Sequence, residues 1–176
     1  MRALVETKIK GLRLRFAEAK DVEVIRDFIH ALAVYEHLET EMKASSAQLT
    51  ETLFGVKPYA EVILAEIEGK AVGFALFFHN YSTFLGKPGI YLEDLFVLPE
   101  VRGEGIGTAL LCYIAKIALE RGCGRFEWSV LDWNEPAIKI YQSMGAESLN
   151  EWIGQRVTGD VLERLAERFS NEFEKG

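Results

Sequence analysis

Apolar residues along this chain repeat with periods that switch between two and about three and a half, and each switch marks an element. Leu12 to Phe16 alternate apolar with charged residues, which predicts a first strand. From Asp21 onward Val22, Ile25, Phe28, Ile29 and Leu32 recur at helical spacing, predicting a helix over 21–39 with Asp21 as its N-cap. Ser46 to Phe54 reads as a second helix, capped by serine and stopped at Gly55. Two β-rich runs then flank Glu68-Gly69-Lys70, a hairpin signal over 59–82, and a further strand follows from Tyr91 to Leu98. Ile106, Leu110, Tyr113, Ile114, Ile117 and Ala118 mark an amphipathic helix over 105–122, closed by Gly122. Arg125 to Leu131 alternate again as a strand. Asn134, Pro136 and Gly145 bound a short helix as cap, first-turn residue and terminator. Residues 155–159 read as a last strand, and Val161, Leu162, Leu165, Ala166 and Phe169 form one stripe of a final helix. Hairpins in the middle and a strand-helix-strand unit after residue 90 place the chain among mixed α/β folds.

One acidic pair interrupts this pattern. Glu93 and Asp94 sit inside an otherwise apolar strand, where burying charge is costly unless something uses it. In a regular strand they point to opposite faces, which places Glu93 with Tyr91 and Leu95 and leaves Asp94 as a second contact reached through a bulge or as a hydrogen-bonded structural acid. Just downstream, Arg102-Gly103-Glu104-Gly105-Ile106-Gly107 joins the strand to its helix. Unpaired backbone N–H groups and the positive end of the helix dipole suit an anion there, and phosphate is the natural one. The spacing fits neither the dinucleotide fingerprint, because Thr108 and Leu110 occupy the places of its last glycine, nor the P-loop, because no lysine follows Gly107. A pyrophosphate cradle that needs no catalytic metal is what remains.

With 176 residues the chain fits one domain, 1–176, with 1–10 as an N-terminal lead. Its net charge of -7 speaks against nucleic acid and for a cationic partner. Neither a signal peptide nor an apolar run long enough for a membrane span occurs, so a cytoplasmic location is expected. Cys112 and Cys123 have no adjacent histidine and read as structural. His30, His37 and His79 are too scattered to predict a metal site.

The stretches from Tyr91 to Leu111, Leu131 to Ala146 and Leu32 to Glu39 together resemble the GNAT superfamily of N-acetyltransferases, and within it the spermidine/spermine and thialysine branch, over roughly residues 12–167. The resemblance implies a central, mostly antiparallel sheet with a parallel strand pair splayed at the acyl-CoA site. It further implies acetyl-CoA as cosubstrate, direct attack by a primary amine in a ternary complex, and a homodimer. Donor contacts would fall on Leu95, Phe96 and Val97, on the turn of Arg102, Gly103, Glu104, Gly105, Ile106, Gly107 and Thr108, and on Asn134, Pro136 and Tyr141. Tyr35 and Glu36 would meet the amine, beside Glu93 and Asp94, with Glu127, Trp128 and Ser129 bordering the cleft. Ser82 and Phe84 stand where the spermidine/spermine enzymes carry an acid and a tryptophan, which brings the sequence nearer the thialysine side.

An alkylamine is about 99.9% protonated at pH 7, and freeing its lone pair costs about 4.6 kcal/mol, so the chemistry needs a proton acceptor. Glu93 is the candidate base. Tyr141, by the resemblance, is the candidate acid for the leaving thiolate. The acceptor is then a polyamine, diamine, thialysine or lysine-like compound. The alternatives are transfer to a protein lysine or N-terminus, and a sensor that binds acyl-CoA or polyamine without turnover.

Overall fold

The computed structural model describes residues 4–174 and divides into two compact units, Met1–Ser129 and Val130–Gly176. The first carries a sheet of six strands in sequence order: β1 (Val5–Glu6), β2 (Leu12–Phe16), β3 (Glu61–Ile67), β4 (Lys70–Ser82), β5 (Lys87–Val97) and β6 (Phe126–Trp128). Neighbours are antiparallel except β5 and β6, which run parallel. Helices α1 (Val22–Glu36), α2 (Ser46–Phe54) and α3 (Ile106–Glu120) complete this unit.

Local chemistry accounts for the connections. Ile67 pairs with Lys70, so the β3–β4 hairpin turns on two residues, Glu68 at φ 50° and Gly69 at φ 77°. Both central residues with positive φ make the type I′ turn whose twist matches the strands. Ser45 accepts from the Gln48 N–H while the Gln48 side chain accepts from the Ser45 N–H, a reciprocal cap that starts α2. At the β4–β5 turn the buried Ser82 hydroxyl accepts from the Leu85 N–H at 3.2 Å, and Phe84 projects into solvent.

The two faces of the sheet are packed separately. On one, Phe28 of α1 stacks on Phe74 with ring centroids 5.5 Å apart and leans on Phe96 at 6.2 Å, within a core that includes Ile25, Leu49, Leu53, Val62 and Leu64. On the other, α3 begins beside Val97, whose Cγ2 would lie 3.9 Å from a Cβ at Gly107, and ends with Arg121 over the Phe77 ring at 5.7 Å. That contact network fixes α3 lengthwise along β5 and β4.

The second unit holds α4 (Glu135–Ser143) and α5 (Gly159–Glu172). Asn134 caps α4 by accepting from the Ala137 N–H at 3.4 Å, and Pro136 lies in the first turn, as the sequence predicts.

Four expectations change. Residues 155–158 have no regular structure and Gly159 opens α5, so the last strand is absent there; Gly159 at φ 53° and the exposure of the whole segment favour a connector. The strand predicted over 125–131 spans only Phe126–Trp128. Asp21 does not cap α1 with its side chain, because Arg15 and the Glu18 N–H claim its carboxylate. Finally, α1 ends at Glu36, where His37 takes the left-handed conformation at φ 61°.

Candidate active site

The register of β4 against β5 breaks at the acidic pair. Phe77 stands opposite Leu92 and Leu76 opposite Asp94, so Glu93 is an extra residue without a cross-strand partner, a β-bulge. Its consequence is a change of parity. Before the bulge Tyr91 shares a face with Phe78, 5.4 Å away between ring centroids; after it Asp94 and Phe96 occupy that same face, and Leu95 lies on the other, opposite Ala75. Tyr91 and Leu95 therefore do not share a face as alternation predicted, and Asp94 joins Tyr91 on the side carrying α1.

Three carboxylates meet there. Burial pushes Asp94 up to about 6, with the like charges of Glu93 and then Glu36 adding to the shift. Burial also raises Glu36, on the last turn of α1. A cation entering this face would relieve both effects. The parallel pairing of β5 with β6 ends at Leu92 opposite Trp128, one residue before the bulge, so the strands part where the acids gather.

Beyond the bulge, Arg102 folds back across β5. Its Nε donates to the Val97 carbonyl at 2.9 Å, and its guanidinium carbon lies 4.9 Å from the Tyr35 ring centroid and 5.2 Å from that of Phe96. The glycine turn follows. Gly103 and Gly105 have φ of 85° and 83°, a region that side chains rarely adopt, and no atom lies within 4 Å of a Cβ built on Gly103. Gly105 is the N-cap of α3 without a side-chain cap, leaving the first N–H groups of the helix, from Ile106 to Thr108, for another acceptor. A turn with glycines at its positive-φ positions, leading into helix N–H groups that no side chain caps, fits a pyrophosphate.

On β6 the predicted residues divide. The Ser129 and Tyr91 hydroxyls are 2.6 Å apart, joining Ser129 to the acid-bearing face. The Glu127 carboxylate is taken up by its neighbours: Asn80 Nδ2 donates to Oε2 at 2.7 Å and Arg125 Nε lies 2.7 Å from the same oxygen. Gly89 makes room for this cluster, since a Cβ there would come within 2.3 Å of Asn80 Oδ1. Trp128 leans against Phe126, centroids 4.9 Å apart. A cavity of about 340 Å³, lined by Phe54, Tyr59, Phe78 and His79 among others, includes none of the predicted donor or amine contacts. Asn134, Pro136 and Tyr141 belong to the second unit, Tyr141 on α4 with its carbonyl accepting from the Ala146 N–H at 3.0 Å.

Residues 23–146 match the model of the acetyltransferase (GNAT) family. The chain belongs to that family. It is 37% identical to the mouse (Mus musculus) thialysine N-epsilon-acetyltransferase, with 89% of this chain and 98% of that one covered. To the Arabidopsis thaliana L-ornithine N5-acetyltransferase NATA1 it is 34% identical, with 87% of each covered. Among solved structures, the Vibrio cholerae integron cassette protein VCH_CASS6 superposes with a TM-score of 0.75 at 27% identity, covering 89% of this chain and 98% of that one.

As a GNAT acetyltransferase, the chain has the mixed sheet and the parallel pair that its sequence implied. The resemblance set Glu36 beside Asp94, where the structure has them interact; sequence reasoning missed two features of the site, the Tyr91–Ser129 contact and the contacts Arg102 makes. Neither had a local signal in the sequence. Among the described residues no helix is long and apolar enough to cross a membrane, and no group of three or more His, Cys, Asp or Glu is placed to hold a metal.

Proposed function

We propose that this acetyltransferase moves the acetyl group of acetyl-CoA to the primary amine of a small cationic, lysine-like substrate of the thialysine or ornithine kind, with diamines and polyamines as further acceptors, by direct attack in a ternary complex. The observation that carries this reading is the bulge, which turns Asp94 onto the face shared with Tyr91 and brings Glu36, Glu93 and Asp94 into electrostatic contact. Three carboxylates attract an ammonium and hold it beside the end of the parallel pair. The named activities of the mouse and plant relatives point to the same substrate shape.

Asp94 is the better-tuned acceptor for the amine's proton, with Glu93 beside it as relay: a base working near neutral pH is most effective when its pKa lies close by, and Asp94 sits at about 6. The freed nitrogen forms the new C–N bond as the C–S bond breaks. Tyr141 donates its phenolic proton to the departing thiolate, giving free thiol, and the second proton shed by the nitrogen as the amide forms restores the phenol. The turn from Arg102 to Thr108 binds the pyrophosphate through backbone N–H groups, the backbone of Leu95, Phe96 and Val97 pairs with the pantetheine arm, and Asn134 and Pro136 complete the donor site. Residues 1–176 are read as one catalytic domain, a reading supported by a family match that covers residues 23–146 and so reaches into the second unit.

We further propose that the enzyme works as a cytoplasmic homodimer. Val161, Leu162, Leu165 and Phe169 of α5 are all about half exposed in the single chain, a stripe that a second copy would cover. A solution mass showing only the 19.9 kDa chain would remove the dimer.

The function is tested by following thiol release from acetyl-CoA over a panel of thialysine, lysine, ornithine, diamines, polyamines and lysine peptides. Turnover of the small amines above the peptides is expected. Tight acetyl-CoA binding with no acetylated product from any amine would replace the enzyme by a sensor.

A further inference from the structure

The bulge gives Tyr91 a relation to Asp94 that a regular strand would not allow. Across β4 the two residues stand opposite Phe78 and Leu76, which are consecutive on one face of that strand, so Tyr91 and Asp94 are same-face neighbours about 7 Å apart along β5. On the other side of Tyr91, β6 reaches the end of its backbone pairing. Leu92 is opposite Trp128, and Ser129 lies one residue past that end. There a side-chain contact takes over from the ladder: the Tyr91 and Ser129 hydroxyls are 2.6 Å apart, in an exposed hydrogen bond. The Tyr91 ring leans on Phe78, centroids 5.4 Å apart, which helps to fix where its hydroxyl stands. The hydroxyl pair thus occupies the point where β5 and β6 part, next along the face from Asp94.

Its chemistry differs from that of the acids. One hydrogen and one lone pair are used between the two oxygens, and the remaining lone pairs can accept an N–H from outside. Carboxylates draw an ammonium in, but each also stabilises its charged form, which opposes the proton loss that attack requires. A hydroxyl has a dipole and no net charge, so it favours the charged form far less. A nitrogen that has passed one proton to Asp94 keeps two N–H bonds, and holding one of them restricts the direction of its lone pair.

We infer that the Tyr91–Ser129 hydroxyl pair is the neutral hydrogen-bond site for the attacking amine, holding one N–H while Asp94 takes the proton and so aiming the lone pair. This rests on the acetyltransferase reading above. It brings Tyr91, to which neither the sequence nor the resemblance assigns a role, into contact with substrate, and it gives Ser129 a defined task at the border of the cleft.

The test removes one hydroxyl at a time. Tyr91→Phe keeps the ring on Phe78, and Ser129→Ala takes away the other oxygen. With thialysine, or with another amine of the panel if that one turns over faster, each variant should lower kcat about tenfold. The amine KM should change by less than about threefold and acetyl-CoA affinity by calorimetry should hold, because the carboxylates and the donor turn are untouched. Since the two hydroxyls act as a unit, the losses should not multiply in the double variant, and Ser129→Thr, which keeps a hydroxyl, should retain most of the wild-type rate. A readout without turnover accompanies these. With Tyr91 labelled by carbon-13 at Cζ, its NMR signal should move when the same amine is added to protein loaded with CoA in place of acetyl-CoA. Wild-type kcat in both single variants, losses that multiply, or a Cζ signal unmoved at an amine concentration that saturates turnover would overturn the inference and leave the acetyltransferase function standing. Failure to acetylate any amine of the panel would overturn the function, and the inference with it.

Discussion

Asp94 stands directly opposite Leu76 across β4 and β5, on the face of the sheet that packs against α1. An ionisable group with so apolar a partner holds its proton longer than it would in water, and Asp94 is pushed up to about 6, first by burial and then by Glu93 and Glu36. As a base it must be deprotonated to work. The pH profile of kcat/KM should therefore rise through a limb near pH 6, and Asp94→Asn should abolish that limb and lower the rate by about 10²-fold or more. Glu36→Gln removes a like charge, so the limb should shift to lower pH. A limb that stays in place in both variants assigns it to another group.

Tyr141 lies on α4, the helix that Asn134 caps. If its phenol protonates the leaving thiolate, Tyr141→Phe should reduce kcat by about 10²- to 10⁴-fold while leaving the amine KM within a small factor. Steady-state assays of thiol release measure both. A parallel fall in acetyl-CoA affinity and no fall in kcat would make Tyr141 a packing residue of the donor site.

Much of this fold was legible because the apolar periods are long and unbroken: the span from Ile106 to Ala118 is fixed by one stripe, and the β3–β4 turn by a single Glu-Gly dipeptide. The acid cluster was only half legible. Glu93 and Asp94 stand out as charges in an apolar strand, but strict alternation assigns them the wrong neighbours, because a bulge inserts one residue and inverts every side chain beyond it. Nothing in the local sequence marks that bulge. Glu36 and Asp94 are remote in the chain and meet only through packing, and the course of Arg102 depends on where α1 ends. That end is set by His37 in a left-handed conformation, which the sequence pattern extended to residue 39.

The glycine turn offers a test of its own. Gly105 is at φ 83°, and a Cβ there would make only ordinary contact with Ile9 Cδ1 at 3.5 Å, so an alanine is opposed by backbone strain and not by a clash. That strain is about 1–2 kcal/mol. Gly122, at the far end of α3 with φ 69° and open space around it, supplies the control. Both Gly105→Ala and Gly122→Ala should lower Tm by about 2–8 °C. Only Gly105→Ala should weaken acetyl-CoA binding, by about tenfold in calorimetry, as the N–H groups of the turn swing away from the pyrophosphate. Equal affinities in the two variants would take the donor away from this turn.

Stability against pH should carry two slopes of opposite sign, one from each of two aspartates. Asp21 is buried and held by Arg15 in a bidentate pair of 2.7 and 2.9 Å, with Arg15 also donating to Glu66 at 2.8 Å; its hydrogen bond to Arg15 keeps its carboxyl below the usual range. A depressed folded pKa means that the unfolded chain binds the proton more readily, so the stability from Asp21 is present above about pH 4 and is lost as pH falls through the lower folded value. Asp94 behaves in reverse. Its folded pKa of about 6 lies above the ordinary 3.8, so the folded state is favoured while Asp94 is protonated, and stability declines as pH rises from about 4 through 6, by roughly 2–3 kcal/mol. Denaturant melts across pH 3 to 8 should show both. Asp94→Asn should remove the decline between 4 and 6 and leave a more stable protein at pH 7; Asp21→Asn should cost about 2–3 kcal/mol at pH 7 and flatten the acid limb. Should Asp94→Asn destabilise the protein at neutral pH, its carboxylate would be a structural hydrogen-bond acceptor, and the proton-accepting role would return to Glu93.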